Sequence, residues 1–237
     1  MAAVATLQAQ TAVNKTIPGQ AGQTLVMKFD YPVVKVSTWE KNEISIQGMV
    51  SINQGENDDA FKLTTATNGK EISVRSEVAG VDKLPHRITV TEGGQKMTFR
   101  DKEALRKYEQ DHGKGKYEMQ SWGVDIDITL EIKVPRNMST RIDAVYGIVE
   151  IPGFDGPLVV ESTYGGVDAA LVERNAGEII AETNYGNIYT NLDAKFGGEA
   201  SRQENFHTYV SARPGKGPSY SFDSKYGNVY IRKATQP

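Results

Sequence analysis

Gly156-Pro-Leu-Val-Val-Glu-Ser-Thr-Tyr-Gly165 and Gly177-Glu-Ile-Ile-Ala-Glu-Thr-Asn-Tyr-Gly186 repeat one pattern, and this pattern decides the fold. The same Tyr-Gly pair recurs at Tyr146-Gly147 and Tyr226-Gly227, more often than random pairing of 11 Tyr and 23 Gly gives. Two positions after each Gly stands an aliphatic residue: Val149, Val167, Ile188 or Val229. Three positions before each Tyr stands an acid: Asp143, Glu161, Glu182 or Asp223.

The spacing of these anchors indicates a solenoid. Phe206 continues the series, with Gln203 in the place of the acid, so the anchors 146, 164, 185, 206 and 226 are separated by 18, 21, 21 and 20 residues. A period near 20 with two short strands per repeat predicts turns that stack in chain order, each about 4.8 Å from the last. The aliphatic residues would then stack inward, the aromatic anchors would form an internal ladder, and each Gly would permit a bend. An antiparallel meander of hairpins is the alternative, but it does not explain the fixed phase of the repeat.

The rest of the chain reads mainly as strands. Alternating residues predict strands over 25–29, 33–39, 43–47 and 124–134, and Asn68-Gly69 predicts a hairpin. The expected fold class is therefore all-β, a parallel β-helix (β-solenoid) with an N-terminal strand and hairpin region and one short helical excursion. We expect a single domain over residues 11–237, with its clearest turns over 138–233.

The segment 96–116 departs from the strand pattern. It holds seven Lys/Arg and four Asp/Glu, a net charge of +3. Asp101 to Tyr108 is predicted to be a short helix capped by Asp101 and ended near Gly113. Such a charged excursion could dock a partner, although a solvated surface loop is the preferred interpretation.

Composition narrows the functional classes. A formal net charge of −3 gives no electrostatic attraction to nucleic acid, and the absence of cysteine excludes disulfides and cysteine metal sites. Residues 1–10 resemble the end of a signal peptide, with a disordered tail as the alternative. No apolar run approaches the roughly 20 residues of a membrane-spanning helix. We therefore expect an exported protein that needs no cofactor.

Two sets of motifs carry a resemblance to a known family. Trp39-Glu-Lys-Asn-Glu-Ile-Ser-Ile46 falls on an N-terminal strand, and Tyr-Gly-x-(Ile/Val) repeats follow in the C-terminal half. With these motifs the chain resembles, from Thr24 to Arg232, the putative-adhesin family of bacterial envelope proteins, which includes auto-transporter adhesin heads. The segment 96–116 fits that family poorly. The resemblance implies a right-handed β-helix in the periplasm or at the cell surface, and it implies no catalytic residues.

The candidate sites are few. If the acids at the repeated position stack about 5 Å apart, they could hold a hard cation, although a water-screened outward ladder is the simpler interpretation. Tyr189 and Tyr230 follow inward residues and should point outward as contact residues for a partner. Asp125 and Asp127 share one face of a strand, where a paired-carboxylate site or a plain solvent face is possible.

These features support three hypotheses about function. The first is a non-catalytic exported envelope or surface protein, an adhesin-like module that binds a glycan or a protein. The second is a β-helix enzyme that acts on acidic polysaccharide. The third is a structural or assembly module whose exposed end pairs with a partner strand. No nucleophile elbow, zinc motif or phosphate loop supports catalysis, so we expect a protein that is not an enzyme.

Overall fold

A computed structural model describes residues 10–197, 202–204 and 206–234, the middle range for its backbone alone. The described residues form 20 strands, numbered here in chain order, and one α-helix. The prediction of an all-β protein is confirmed. The interpretation of residues 1–10 as a signal remnant or a tail lies almost entirely outside the described residues.

Contacts divide the chain into two compact units. Of the described residues, the small unit comprises 10–12, 49–61 and 78–128. The large unit comprises residues 13–48, 62–77 and the described residues from 129 onward. The single domain expected over 11–237 stays a prediction.

Eight strands form the first sheet. In the order in which they lie side by side they are β1 (Thr11–Pro18), β4 (Glu43–Ile52), β10 (Ile126–Pro135), β3 (Val33–Trp39), β12 (Val149–Gly153), β14 (Val167–Leu171), β20 (Val229–Lys233) and β16 (Ile188–Thr190). Residues 128–134 of β10 alternate between buried and more exposed positions, as their sequence predicts.

Nine strands form the second sheet. Side by side they are β17 (Arg202–Glu204), β18 (His207–Ala212), β15 (Glu178–Thr183), β19 (Ser219–Ser224), β13 (Leu158–Ser162), β11 (Ser139–Ala144), β2 (Thr24–Phe29), β6 (Glu71–Val78) and β5 (Phe61–Asn68). Neighbouring strands β5 and β6 are joined at Asn68-Gly69, where Gly69 has a positive φ of 58°, in agreement with the predicted hairpin.

The third sheet belongs to the small unit. Its strands β8 (Gln95–Phe99), β7 (Arg87–Glu92) and β9 (Met119–Gly123) pair antiparallel in that order. Helix α1 (Lys102–His112) begins at Asp101, whose carboxylate accepts a hydrogen bond from the Ala104 N–H at 2.9 Å, and ends at Gly113. The cap and the end of the predicted helix are confirmed. Most of the segment 96–116 is therefore a strand and a helix and not a loop, and most of its residues are exposed, in agreement with a solvated surface.

The repeat builds parallel rungs, each made of one second-sheet strand and the first-sheet strand that follows it. Five rungs stack in the order β2–β3, β11–β12, β13–β14, β19–β20 and β15–β16, with parallel pairing in both sheets. The repeated aliphatic positions meet as predicted: Val149 pairs with Val167, and Val229 lies between Val167 and Ile188. The three valines are fully buried.

Two sequence expectations are wrong. Turns were expected to stack in chain order, but the last rung, β19–β20, lies between the third and the fourth. The segment around Phe206 was expected to be a further turn within 138–233, but it joins β17 to β18, and β18 runs antiparallel to β15. Gln203 consequently pairs with Thr208 in this hairpin and does not continue the line of acids.

The glycine after each tyrosine is required by close approach of neighbouring rungs. A Cβ atom on Gly227 would overlap the carbonyl oxygen of Gly165, and one on Gly186 would overlap that of Gly227. Gly165 stands in the same relation to Gly147. None of these residues has a positive φ, so contact between rungs explains the glycines, rather than the bend that the sequence suggested.

Candidate functional site

The rungs align six aromatic side chains into one continuous stack, the aromatic row. Its members, in spatial order, are Tyr31, Tyr146, Tyr164, Tyr226, Tyr185 and Phe206. The four central rings are 5.1–5.2 Å apart between centroids and within 9° of parallel. Spacing and parallelism follow from the strand ladder, because each ring occupies the same position on its rung.

The aromatic row lies on the surface. The tyrosines at 146, 164, 185 and 226 are each about half-exposed, and Phe206 is 80% exposed. The sequence predicted a stacked ladder inside the turns. The stacking is present, but the interior location is wrong, because these residues stand in the bends between the two sheets and not on the strands whose alternate residues are buried.

Buried hydroxyl groups hold the bends that carry the row. The Ser224 hydroxyl donates to the Gly165 carbonyl at 2.8 Å and accepts from the Gly227 N–H at 3.0 Å. Thr183 makes the same two contacts with Gly227 and Gly186. Each hydroxyl therefore joins its own bend to the bend of the neighbouring rung.

Removing one of these hydroxyls gives a testable prediction. Ser224→Ala removes the partner of the partly buried Gly227 N–H and of the buried Gly165 carbonyl, so we expect the free energy of unfolding to fall by about 1–3 kcal/mol. Ser162 is the matched control, because it occupies the same repeat position but its buried hydroxyl has no partner among the described residues. Denaturant titration should show Ser162→Ala close to the parent, and equal losses in both variants would contradict the proposed bridge.

Tyr189 and Tyr230, the predicted contact residues, form a separate pair. Their rings stack at 5.0 Å, and the Arg232 guanidinium lies 5.3 Å from the Tyr230 ring centroid. Tyr189 is exposed and Tyr230 is half-buried. Their role in binding stays a prediction.

The four acids also form an ordered line, the acid column. In spatial order they are Asp143, Glu161, Asp223 and Glu182, each in register with the next. Basic groups pair with three of them: Lys28 with Asp143 at 3.9 Å, Arg141 with Glu161 at 2.6 Å, and His207 with Glu182 at 2.6 Å. Within residues 10–197 and 206–234, no group of three His, Asp or Glu side chains could hold a metal ion.

Asp223 is the member of the acid column whose surroundings least favour an ionised carboxylate. Its Oδ1 is buried and receives no hydrogen bond from the described residues. Burial first, and then the charges of Glu182 and Glu161, raise the pKa of Asp223 above its ordinary 3.8, while His207 acts in the opposite direction. The ionised form is therefore disfavoured in the folded protein.

Because of this raised pKa, we expect Asp223→Asn to increase the free energy of unfolding by an amount that depends on pH. The folded state holds the proton of Asp223 more tightly than the unfolded chain does, so this residue lowers stability as pH rises from about 3.8 through the raised pKa. At neutral pH the variant should be more stable than the parent, and the difference should vanish below the ordinary pKa. Denaturant titrations across this range test it. Asp143→Asn loses the contact with Lys28 and should not increase the free energy of unfolding.

Asp125 and Asp127 line one cleft of about 410 Å³ together with Lys96 and Tyr108. Both carboxylate oxygens of Asp125 are engaged, Oδ1 by the Lys96 ammonium group and Oδ2 by the Thr98 hydroxyl. Its backbone N–H donates to the Asn53 side chain at 3.0 Å. Asp127 is exposed. The cleft thus contains one acid held by structural contacts and one acid open to solvent.

The sequence interpretation missed an exposed tryptophan in the small unit. Trp122 lies on β9, opposite Ile88 of β7, and is 70% exposed. It borders an open groove of about 1060 Å³, the Trp122 groove, which is also lined by residues from β7 and from the start of α1. Alternation of apolar and polar residues over 87–91 could have predicted β7, but nothing local indicates what lies beside Trp122.

Fold and surface together define the class: an all-β protein that carries an exposed row of stacked aromatic rings. No protein-family model matches the chain, and no curated protein matches it. Among solved structures the chain is similar to a putative cell adhesion protein from Clostridium sporogenes, with a TM-score of 0.48 and 11% identity, over 95% of this chain and 100% of that one. In the described part of the chain, no helix has the length and apolar character needed to cross a bilayer.

Proposed function

We propose that this chain is a non-catalytic binding module of an exported bacterial protein, located in the periplasm or at the cell surface, and that it binds a glycan or a protein. The observation that carries the proposal is the aromatic row. Contiguous exposed aromatic surface is uncommon on proteins without a partner. Tyrosine is also enriched in binding surfaces, because it combines apolar area with a polar tip.

The geometry of the row favours recognition by ring edges. Stacking covers the ring faces of the four central tyrosines, so edges and hydroxyl groups remain available to a partner. A ladder of hydrogen-bonded strands holds these groups about 5 Å apart, which keeps the entropy lost on binding small. An extended partner with a similar repeat could contact several rings at once.

We further propose that the large unit is a right-handed parallel β-helix. In-register parallel pairing of repeated positions in two sheets supports this assignment. A β-helix offers a rigid lateral face whose side chains repeat at the strand spacing. The aromatic row would then be one edge of that face.

The direct test removes hydroxyl groups and keeps the rings. A double variant, Tyr164→Phe with Tyr226→Phe, preserves stacking but takes away two polar tips. Glycan arrays and pull-downs from envelope fractions should identify a ligand for the parent protein, and the double variant should bind that ligand at least about tenfold more weakly.

Tyr209→Phe serves as the matched control, because Tyr209 lies on β18 outside the aromatic row. It should bind as the parent does. The proposal fails if no glycan or envelope protein binds the parent, or if the double variant retains full affinity at unchanged stability.

The alternative of an enzyme acting on acidic polysaccharide rests on the cleft that contains Asp125 and Asp127. The contacts of Asp125 with Lys96 and Thr98 favour a structural role for this acid, and we propose that the cleft is not catalytic. Incubation with polygalacturonate or alginate should release no product. Turnover that disappears in Asp127→Asn would instead support the enzyme.

A further inference from the structure

We propose that the Trp122 groove is a binding site for a neutral oligosaccharide. This inference goes beyond the proposed function, because the groove belongs to the small unit and none of its residues belongs to the aromatic row. It can therefore succeed or fail independently of that row.

The groove lies on the face of the third sheet that packs against α1, beside the part of that face which the helix covers. Residues directly opposite each other in antiparallel strands point to the same side of a sheet, so Trp122 shares a face with Ile88, and Gln120 with Val90. Ile88 and Val90 are buried in a cluster with Leu105 of α1. The helix begins only at Lys102, so Trp122 and Gln120 remain exposed although they lie on the packed side of the sheet.

The indole is held in place from one side. The His86 ring meets the Trp122 ring edge to face, with centroids 4.2 Å apart and planes at 79°. His86 Nδ1 is buried and has no hydrogen-bond partner among the described residues. A buried polar atom without a partner is unfavourable, and a hydroxyl group of a ligand that reached it beside the indole would supply the missing hydrogen bond.

The lining matches a ligand with one apolar face and a hydroxyl rim. Seven of the ten lining residues are polar, and Leu84, Ile88 and Trp122 supply the apolar contacts. An exposed indole is a flat surface for the C–H face of a sugar ring. The Gln120 amide, the Glu103 carboxylate and the Arg100 guanidinium can exchange hydrogen bonds with hydroxyl groups. The volume, about 1060 Å³, would take more than one ring.

Charge favours a neutral ligand. Arg100 and Lys102 on the rim are balanced by Asp101 and Glu103, so the groove has no net attraction for an acidic sugar. Asp101 already caps its own helix, which leaves the start of α1 less suited to hold a carboxylate. An extended peptide could add to the outer edge of β9, but its main-chain hydrogen bonds would form at that edge and would not use Trp122 on the face of the sheet.

Tryptophan fluorescence tests the site directly, because the chain holds only two tryptophans. In a Trp39→Phe background, Trp122 is the sole indole. Maltohexaose, cellohexaose, xylohexaose and an N-acetylglucosamine hexamer are titrated to about 10 mM, the range of weak lectin-like affinity. At least one should change the emission of Trp122 with a saturable curve.

Matched variants then locate the binding. Trp122→Ala, measured by calorimetry against the parent, should weaken affinity at least about tenfold. Met119→Ala, at an exposed residue on the opposite face of β9, should leave it unchanged, as should Tyr164→Phe with Tyr226→Phe. The proposal is overturned if none of the four neutral sugars binds, if Trp122→Ala binds equally well, or if polygalacturonate or an extended peptide competes for the groove more strongly.

Discussion

Replacing Gly227 by alanine is expected to lower the free energy of unfolding by about 3 kcal/mol, a large loss for the addition of one methyl group. The added Cβ would overlap the Gly165 carbonyl oxygen, which belongs to the backbone of the neighbouring rung. Backbone cannot rotate away as a side chain can. The rungs would have to separate, and the buried Val229 and the stacked Tyr226 would move with them.

A second glycine in the large unit provides the control. A Cβ on Gly153 would meet no atom within 4 Å, and its φ is not positive. Gly153→Ala should therefore be neutral or stabilise the protein by about 0.4–1 kcal/mol, because alanine restricts the unfolded chain. Both variants are measured by urea titration. Equal stability of the two would show that the rungs do not approach as closely as the Tyr-Gly positions require.

The sequence predicted the phase of the repeat but not the order of the rungs, and the reason is physical. Every rung offers the same residue types at the same positions, so Val167 can pair equally well with Ile188 or with Val229. The local sequence pattern therefore determines the type of residue that meets at each position. Which rungs become neighbours depends on the segments that connect them. The hairpin β17–β18 occupies the outer side of β15, and the last rung takes the inner side.

The aromatic row could be predicted in part from the sequence, whereas the Trp122 groove could not. Equal spacing predicted that the tyrosines would stack, whereas their exposure depends on the bends between the sheets. The groove exists because α1 begins only at Lys102 and does not extend over Trp122. Only the packing of strands far apart in sequence reveals that gap, since Ile88 and Trp122 are brought together by pairing of β7 with β9.

Engineered cysteine pairs should report the order of the rungs, because the natural chain has no cysteine. Val159, Ser221 and Ile180 occupy equivalent positions on β13, β19 and β15, with Ser221 in the middle. Adjacent strands lie about 4.8 Å apart, within the Cα separation of a disulfide. Val159→Cys with Ser221→Cys should therefore form an intramolecular disulfide. Closing a loop of roughly 60 residues should raise the free energy of unfolding by up to about 4 kcal/mol.

The pair Val159→Cys with Ile180→Cys is the decisive comparison. These two positions are closer in sequence, but β19 separates them, so their Cα atoms lie two strand spacings apart, beyond the roughly 7 Å limit for a disulfide. Peptide mapping without reductant should find the bridge in the first pair and free thiols in the second. Stacking in chain order would reverse both results, since β13 and β15 would then be direct neighbours and Ser221 would lie beyond the reach of Val159.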